Sequence, residues 1–147
     1  MKDSRSYSFE DIQYFRFGYS PFGKPSYYTY IYFVDGLLID TGQAKMRKEI
    51  LHLTSELDVN QLFITHHHED HAGNIEALGE QFNCPVYAPK MCCEIMKNPP
   101  PLSPAQRFVW GSRPAYDKLV PKDDQVVTPR YSFKLIPIPG HAKDMVA

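Results

Sequence analysis

The sequence has no run of about 18 apolar residues, so no segment reads as a membrane-spanning helix. It has only three cysteines, two of them adjacent (Cys92, Cys93). That odd set lacks the regular spacing of a disulfide-stapled secreted domain. The opening Met1-Lys2-Asp3-Ser4-Arg5-Ser6 runs into alternating polar and aromatic residues, without the apolar core of a signal peptide. A reducing cytoplasm is the expected location. A charge surplus is also missing: 16 basic and 17 acidic residues give a formal net charge of −1. Residues 1–65 carry 7 basic and 8 acidic side chains, and residues 66–147 carry 9 and 9. No stretch accumulates the Lys/Arg excess that steers a protein to nucleic acid or an anionic membrane, so neither is an expected partner.

What remains is an ordinary folded chain. Its 147 residues, 43% hydrophobic and 22% charged, suit one domain spanning 1–147. Residues 7–18 mix aromatic and polar side chains and read as a strand ended by Gly18. Tyr27–Val34 and Leu37–Asp40 are strands joined by Asp35-Gly36, a dipeptide suited to the positive φ of a tight hairpin turn. Met46, Ile50, Leu53 and Leu57 recur at helical spacing within Lys45–Leu57. Gln61–Thr65 reads as a short strand, Asn74–Phe82 as a helix, Pro85–Ala88 as a strand and Lys90–Lys97 as a helix. Residues 98–121 hold six of the 13 prolines and are expected to form a surface excursion with little regular structure. Tyr131–Ile138 is a further strand, closed by Pro139-Gly140. Strands alternating with helices after an opening hairpin give an α/β fold.

Chemistry concentrates in Thr65-His66-His67-His68-Glu69-Asp70-His71-Ala72-Gly73-Asn74, which holds four of the six histidines and follows a strand. Within it, His66, His68, Asp70 and His71 form the pattern His-x-His-x-Asp-His. In an extended segment His66 and His68 point the same way, so both imidazoles can reach one ion. Asp70 and His71 lie where the chain turns into a helix and can face an adjacent position. Imidazole and carboxylate are donors that zinc and similar ions take.

Thr65–Asn74 resembles the signature of the metallo-β-lactamase-fold hydrolases, the glyoxalase-II-like and small general-hydrolase branches in particular. Leu38-Ile39-Asp40-Thr41-Gly42 resembles the family's strand-end motif, and Pro139-Gly140-His141 its Pro-Gly-His motif. The resemblance implies an αββα sandwich of which this chain carries the N-terminal portion. It implies that His66, His68 and His141 hold a first metal and that Asp70 and His71 face a second, with Asp40 supporting the metal loop from behind. His67 and Glu69 fall at variable positions and are not expected to be ligands. The implied ion is Zn²⁺, with iron or manganese compatible with the same donors. The implied activity is hydrolysis of an ester, thioester, lactone or lactam of small size through metal-bound hydroxide, Asp70 orienting the nucleophile and accepting its proton.

Family members with two metals continue past the Pro-Gly-His strand to a bridging Asp and a final His. Beyond His141 this sequence offers only Asp144 among such donors, too near to be equated with the bridging residue. The expectation is therefore a domain incomplete at its C-terminus, with an apolar sheet face left open for a second copy of the chain to cover. Two other readings follow from the same residues: a metal-binding fragment or interaction module without turnover, and an iron-dependent oxygenase of the same superfamily. His52 is expected at the surface, Cys92 and Cys93 in the core. Phe108, Trp110 and Tyr116 either line a pocket or pin the excursion to the surface.

Overall fold

The computed structural model describes all residues, 1–147. A seven-stranded sheet has the order β1-β2-β3-β4-β5-β6-β7: β1 (Lys2–Phe9), β2 (Ile12–Tyr19), β3 (Thr29–Val34), β4 (Leu37–Ile39), β5 (Gln61–Phe63), β6 (Val86–Ala88) and β7 (Val120–Pro121). The first four strands pair antiparallel and the last four parallel. The parallel strands are joined by helices: α1 (Arg47–Thr54, preceded by a 3₁₀ turn at Ala44–Met46), α2 (Glu69–Ala72), α3 (Ile75–Phe82), α4 (Lys90–Lys97) and α5 (Pro104–Val109). A separate hairpin, β8 (Gln125–Val127) with β9 (Ser132–Lys134), completes the chain. The expected α/β class is observed.

The Asp35-Gly36 turn is built as its sequence suggests, with φ of 48° and 85° and Val34 opposite Leu37. The central strands are short apolar runs because they are covered on both faces. Leu38, Leu62, Ile64, Val86 and Ala88 point to the helices, where they join Met46, Ile50, Ile75, Leu78, Cys92 and Met96 in the larger core. Leu37 and Phe63 point the other way and meet Val126, Leu135 and Val146. The sheet face expected to lie open is thus covered along β4 and β5 by β8–β9 and the C-terminal residues. It stays open along the first three strands, where Tyr7, Tyr14, Tyr32 and Tyr30 form a ladder of stacked rings. Tyr30 and Tyr32 of that ladder are exposed.

Four segments differ from their sequence expectation. Residues 7–18 are not one strand but the inner part of the β1–β2 hairpin, turning at Glu10-Asp11 with Glu10 at φ 51°. The long helix Lys45–Leu57 begins as a 3₁₀ turn and ends at Thr54. The excursion 98–121 contains α5 and β7; Ser103 and Gln106 cap α5 reciprocally, and Pro104 stands at its first turn. The strand expected over Tyr131–Ile138 is confined to Ser132–Lys134, because Pro137 pairs instead with Val146 as the chain turns back.

The histidine loop and the Asp40 loop leave the C-terminal ends of two adjacent parallel strands, β5 and β4, in the middle of the sheet. The carboxyl ends of parallel strands are where α/β sheets commonly place their ligands.

Candidate metal centre

The loop after β5 carries His66 and His68, α2 carries Asp70 and His71, and the turn after Ile138 carries His141. The ligand nitrogens of His66, His68 and His141 lie within 4.8 Å of one another. His68 Nδ1 and His141 Nε2 are 3.0 Å apart. Two nitrogens on one tetrahedral zinc ion, at bonds of about 2.0–2.1 Å, lie about 3.4 Å apart, so the three imidazoles stand near the spacing such an ion needs. His66 is fully buried, His68 half-buried and His141 exposed, so the cluster opens to solvent on one side.

The hydrogen bonds around the cluster decide which nitrogens are free. Asp40, held at φ 64° beyond β4, accepts from the Thr65 amide at 2.8 Å and from the Thr65 hydroxyl at 2.9 Å. With its proton on Asp40, the Thr65 hydroxyl can only accept from His66 Nδ1, 3.0 Å away. This leaves His66 Nε2 as a lone pair, and that atom is buried with no partner in the protein. An orphaned acceptor costs free energy unless something fills it, and a cation suits it. The other Asp40 contact is His71 Nδ1 at 2.7 Å, which frees His71 Nε2 toward Asp70 at 3.5 Å. One carboxylate thus sets the tautomers of two histidines, one directly and one through Thr65.

Protonation follows from the surroundings. Burial, reinforced by neighbouring His71, drives His66 down to about 3. His68 also titrates below its ordinary value, through burial and then the nearby His67 and His141. Burial opposes charge on His71, but its bond to Asp40 and the nearby Asp70 outweigh this and raise it. His66 and His68 are therefore neutral at pH 7, the form a metal ligand needs. Three imidazoles meeting at one point, two of them held neutral, with an open side, fit a divalent ion of the zinc type.

The structure thus brings His66, His68 and His141 to one point and sets Asp70 and His71 beside them, the His66 and His71 ring centroids 4.2 Å apart. Asp40 lies behind both. Glu69 points away from the cluster into the protein, and His67 lays its ring edge-on to that of His68, centroids 4.7 Å apart. His67 Nδ1 meets the buried Asp144 at 2.8 Å, and Glu69, also buried, lies 3.9 Å from the Arg113 guanidinium.

Several supporting residues were not legible as such. Thr65 and Asp144 are two; Asn74 is a third. Its side-chain amide donates to the carbonyls of Thr41, Gly42 and Gln43, stapling the β4 loop to the end of the histidine loop. Arg113 is the fourth, donating to the carbonyls of His67 at 3.0 Å and Pro100 at 2.6 Å. The only advance signal was that Thr65 and Asn74 bound the histidine segment. His52 is exposed and Cys92 and Cys93 are buried, as expected. Trp110 packs edge-on against Tyr27, and Tyr116 packs against the main core, so both pin the excursion; Phe108 is exposed.

Comparison with known proteins agrees with this geometry. The family model described as the metallo-beta-lactamase superfamily matches residues 27–147, and the chain belongs to that superfamily. It is 30% identical over 109 residues to a hydroxyacylglutathione hydrolase of Bdellovibrio bacteriovorus, covering 74% of this chain and 36% of the relative. The corresponding enzyme of Wigglesworthia glossinidia brevipalpis is 34% identical over 80 residues, 54% of this chain and 24% of that one. The chain therefore spans roughly a third of the length of the curated relatives it matches. Among solved structures, a Cronobacter sakazakii metallo-beta-lactamase with a HARLDQ motif superposes with a TM-score of 0.73 at 18% identity, over 97% of this chain and 58% of that one. A Thermotoga maritima flavo di-iron protein superposes with a TM-score of 0.72 at 15% identity, over 99% and 39%. At such identities these two establish the shared fold, with its α/β sheet and covering helices.

Proposed function

We propose that this chain carries the metal-binding part of a divalent-metal hydrolase that cleaves a thioester, with a hydroxyacylglutathione as substrate and zinc as the ion. The observation that carries this reading is the meeting of His66, His68 and His141 at one solvent-open point, with the His66 nitrogen unpartnered. The thioester comes from the hydroxyacylglutathione hydrolases among its relatives. When bound there, such an ion supplies Lewis acidity and lowers the pKa of a water from 15.7 to about 7.

In this reading His66, His68 and His141 hold the ion. Asp70, half-buried beside His71, accepts the proton of the attacking water and orients it, a task that needs a carboxylate within hydrogen-bond reach. His71 stays fixed by Asp40, so its free nitrogen faces the same space as Asp70. Asp40 and Thr65 hold the tautomers and touch no substrate. The three free cysteines suit the reducing cytoplasm proposed as its location.

The test is zinc-dependent hydrolysis of a hydroxyacylglutathione by the full chain, followed by release of the thiol. His68→Ala is expected to abolish the zinc-dependent rate. Equal rates in the two proteins would overturn the reading.

A further inference from the structure

Asp144 lies outside both the three-histidine cluster and the Asp70–His71–Asp40 set. Its side chain has no solvent exposure, and both oxygens serve one residue. Oδ2 accepts from the His67 amide at 2.8 Å, and Oδ1 meets His67 Nδ1 at 2.8 Å. His67 stands between His66 and His68 in sequence; its ring lies edge-on to that of His68, centroids 4.7 Å apart, and presents Nδ1 to Asp144. Its carbonyl accepts from Arg113, so the peptide unit between the two histidines is held at its amide, its side chain and its carbonyl.

Asp144 is also three residues from His141, on the return of the turn that presents that histidine. The tip of this turn is loosely packed: His141 is exposed, and a Cβ added at Gly140 would meet nothing within 4 Å. Its stem is closed by backbone bonds, Ile136 with Ala147 and the Ile138 amide to the Met145 carbonyl at 3.0 Å, and one backbone bond, the Val146 amide to the Thr65 carbonyl at 3.2 Å, reaches the histidine loop. A fully buried carboxylate is expensive to desolvate and is retained where hydrogen bonds and a counter-charge compensate it. Here two of those hydrogen bonds come from the one residue that links two members of the histidine cluster, and the Arg113 guanidinium, whose charge Asp144 supports, lies on the carbonyl side of the same residue.

We propose that Asp144 is a positioning residue for the metal centre: it clasps the turn carrying His141 to the loop carrying His66 and His68. The clasp sets the three imidazoles at one point before an ion arrives. Two buried carboxylates then grip the histidine segment, Asp40 at its two ends through Thr65 and His71, and Asp144 between them at His67. The inference rests on the reading that the three histidines hold a metal.

The probe is zinc itself, titrated into the full 147-residue chain in competition with a chromogenic chelator, beside thermal unfolding of the metal-free proteins. Asp144→Ala is expected to weaken zinc binding by about 10- to 100-fold, the range for partners that orient metal ligands. Asp144→Asn keeps an acceptor for the His67 amide and is expected to recover most of the affinity. A role confined to stability would lower the unfolding temperature of metal-free Asp144→Ala and leave the zinc affinity of the folded protein unchanged, which overturns the proposal. Should Asp144→Ala fail to fold, His67→Ala decides: weaker zinc binding supports the clasp, and wild-type affinity overturns it. A wild-type chain that takes up no zinc overturns the metal reading and the clasp with it. A wild-type chain that binds zinc while the folded variants match it overturns the clasp alone.

Discussion

His66 is the residue at which burial and chemistry conflict most sharply. Its imidazole is fully buried, its Nδ1 is committed to Thr65, and its free nitrogen has no partner. Held at about 3 against an ordinary 6.5, it binds fewer protons in the folded chain than in the unfolded one. The stability this confers is complete above pH 6.5 and drains as the pH falls toward 3, at about 1.4 kcal/mol per pH unit. His68 shifts the same way. His71, raised, does the opposite: its contribution is present below 6.5 and is lost as pH rises through its folded value. Metal-free protein is therefore expected to be most stable near the ordinary histidine value and to lose about 2 kcal/mol by about pH 5 through His66 alone. Thermal unfolding in chelator across that range checks this, and His66→Gln should flatten the acid limb; superimposable limbs would contradict it. His66, His68, Asp70 and His71 were legible as candidates because they stand at fixed offsets in one short segment, whereas Asp40 and His141 were candidates only through the resemblance of their own short motifs. Asp144 was not, because its partner His67 lies 77 residues away and only folding joins them.

Among the elements, the excursion between α4 and β7 depends most on a single side chain. Arg113, with 2% of its side chain exposed, ties Pro100 and the His67 carbonyl together and stands beside buried Glu69. Removing one member of a buried ion pair strands the other, at a cost of about 3–5 kcal/mol. Arg113→Leu is expected to destabilise the chain by that amount in urea unfolding and to open residues 98–121 to proteolysis. Arg113→Leu with Glu69→Leu should recover much of the loss, and a double variant no better than the single would contradict the pairing. Elements with a strong local signal were legible: the Asp35-Gly36 hairpin, and the apolar triplets Leu37–Ile39 and Leu62–Ile64 that two-sided burial demands. The β1–β2 turn was not, since Glu10-Asp11 contains neither Gly nor Asn, yet Glu10 takes a positive φ. In α5 the capping pair Ser103 and Gln106 was present in the sequence but hidden among prolines that favour a loop reading.

At the scale of the molecule, the sheet separates two cores, and the three-histidine cluster proposed to hold a metal sits where both end. The larger core lies under the helices; the smaller is closed by β8–β9 and the C-terminal residues that also deliver His141. Composition and alternation of elements sufficed for the α/β class. How the second face is covered was illegible, because β8 and β9 are three residues each and their packing on Leu37 and Phe63 leaves no periodic pattern. The organisation has one functional consequence: the His141 turn and the histidine loop meet only if the whole fold closes. The most direct measurement is metal content per folded chain by plasma mass spectrometry, after zinc loading and removal of excess, in wild-type protein and in His66→Ala. Near-stoichiometric zinc in the wild type, with most of it gone in the variant, is the expected result. Wild-type protein that is folded and retains no zinc, or a variant that retains as much, would contradict the metal centre at His66, His68 and His141.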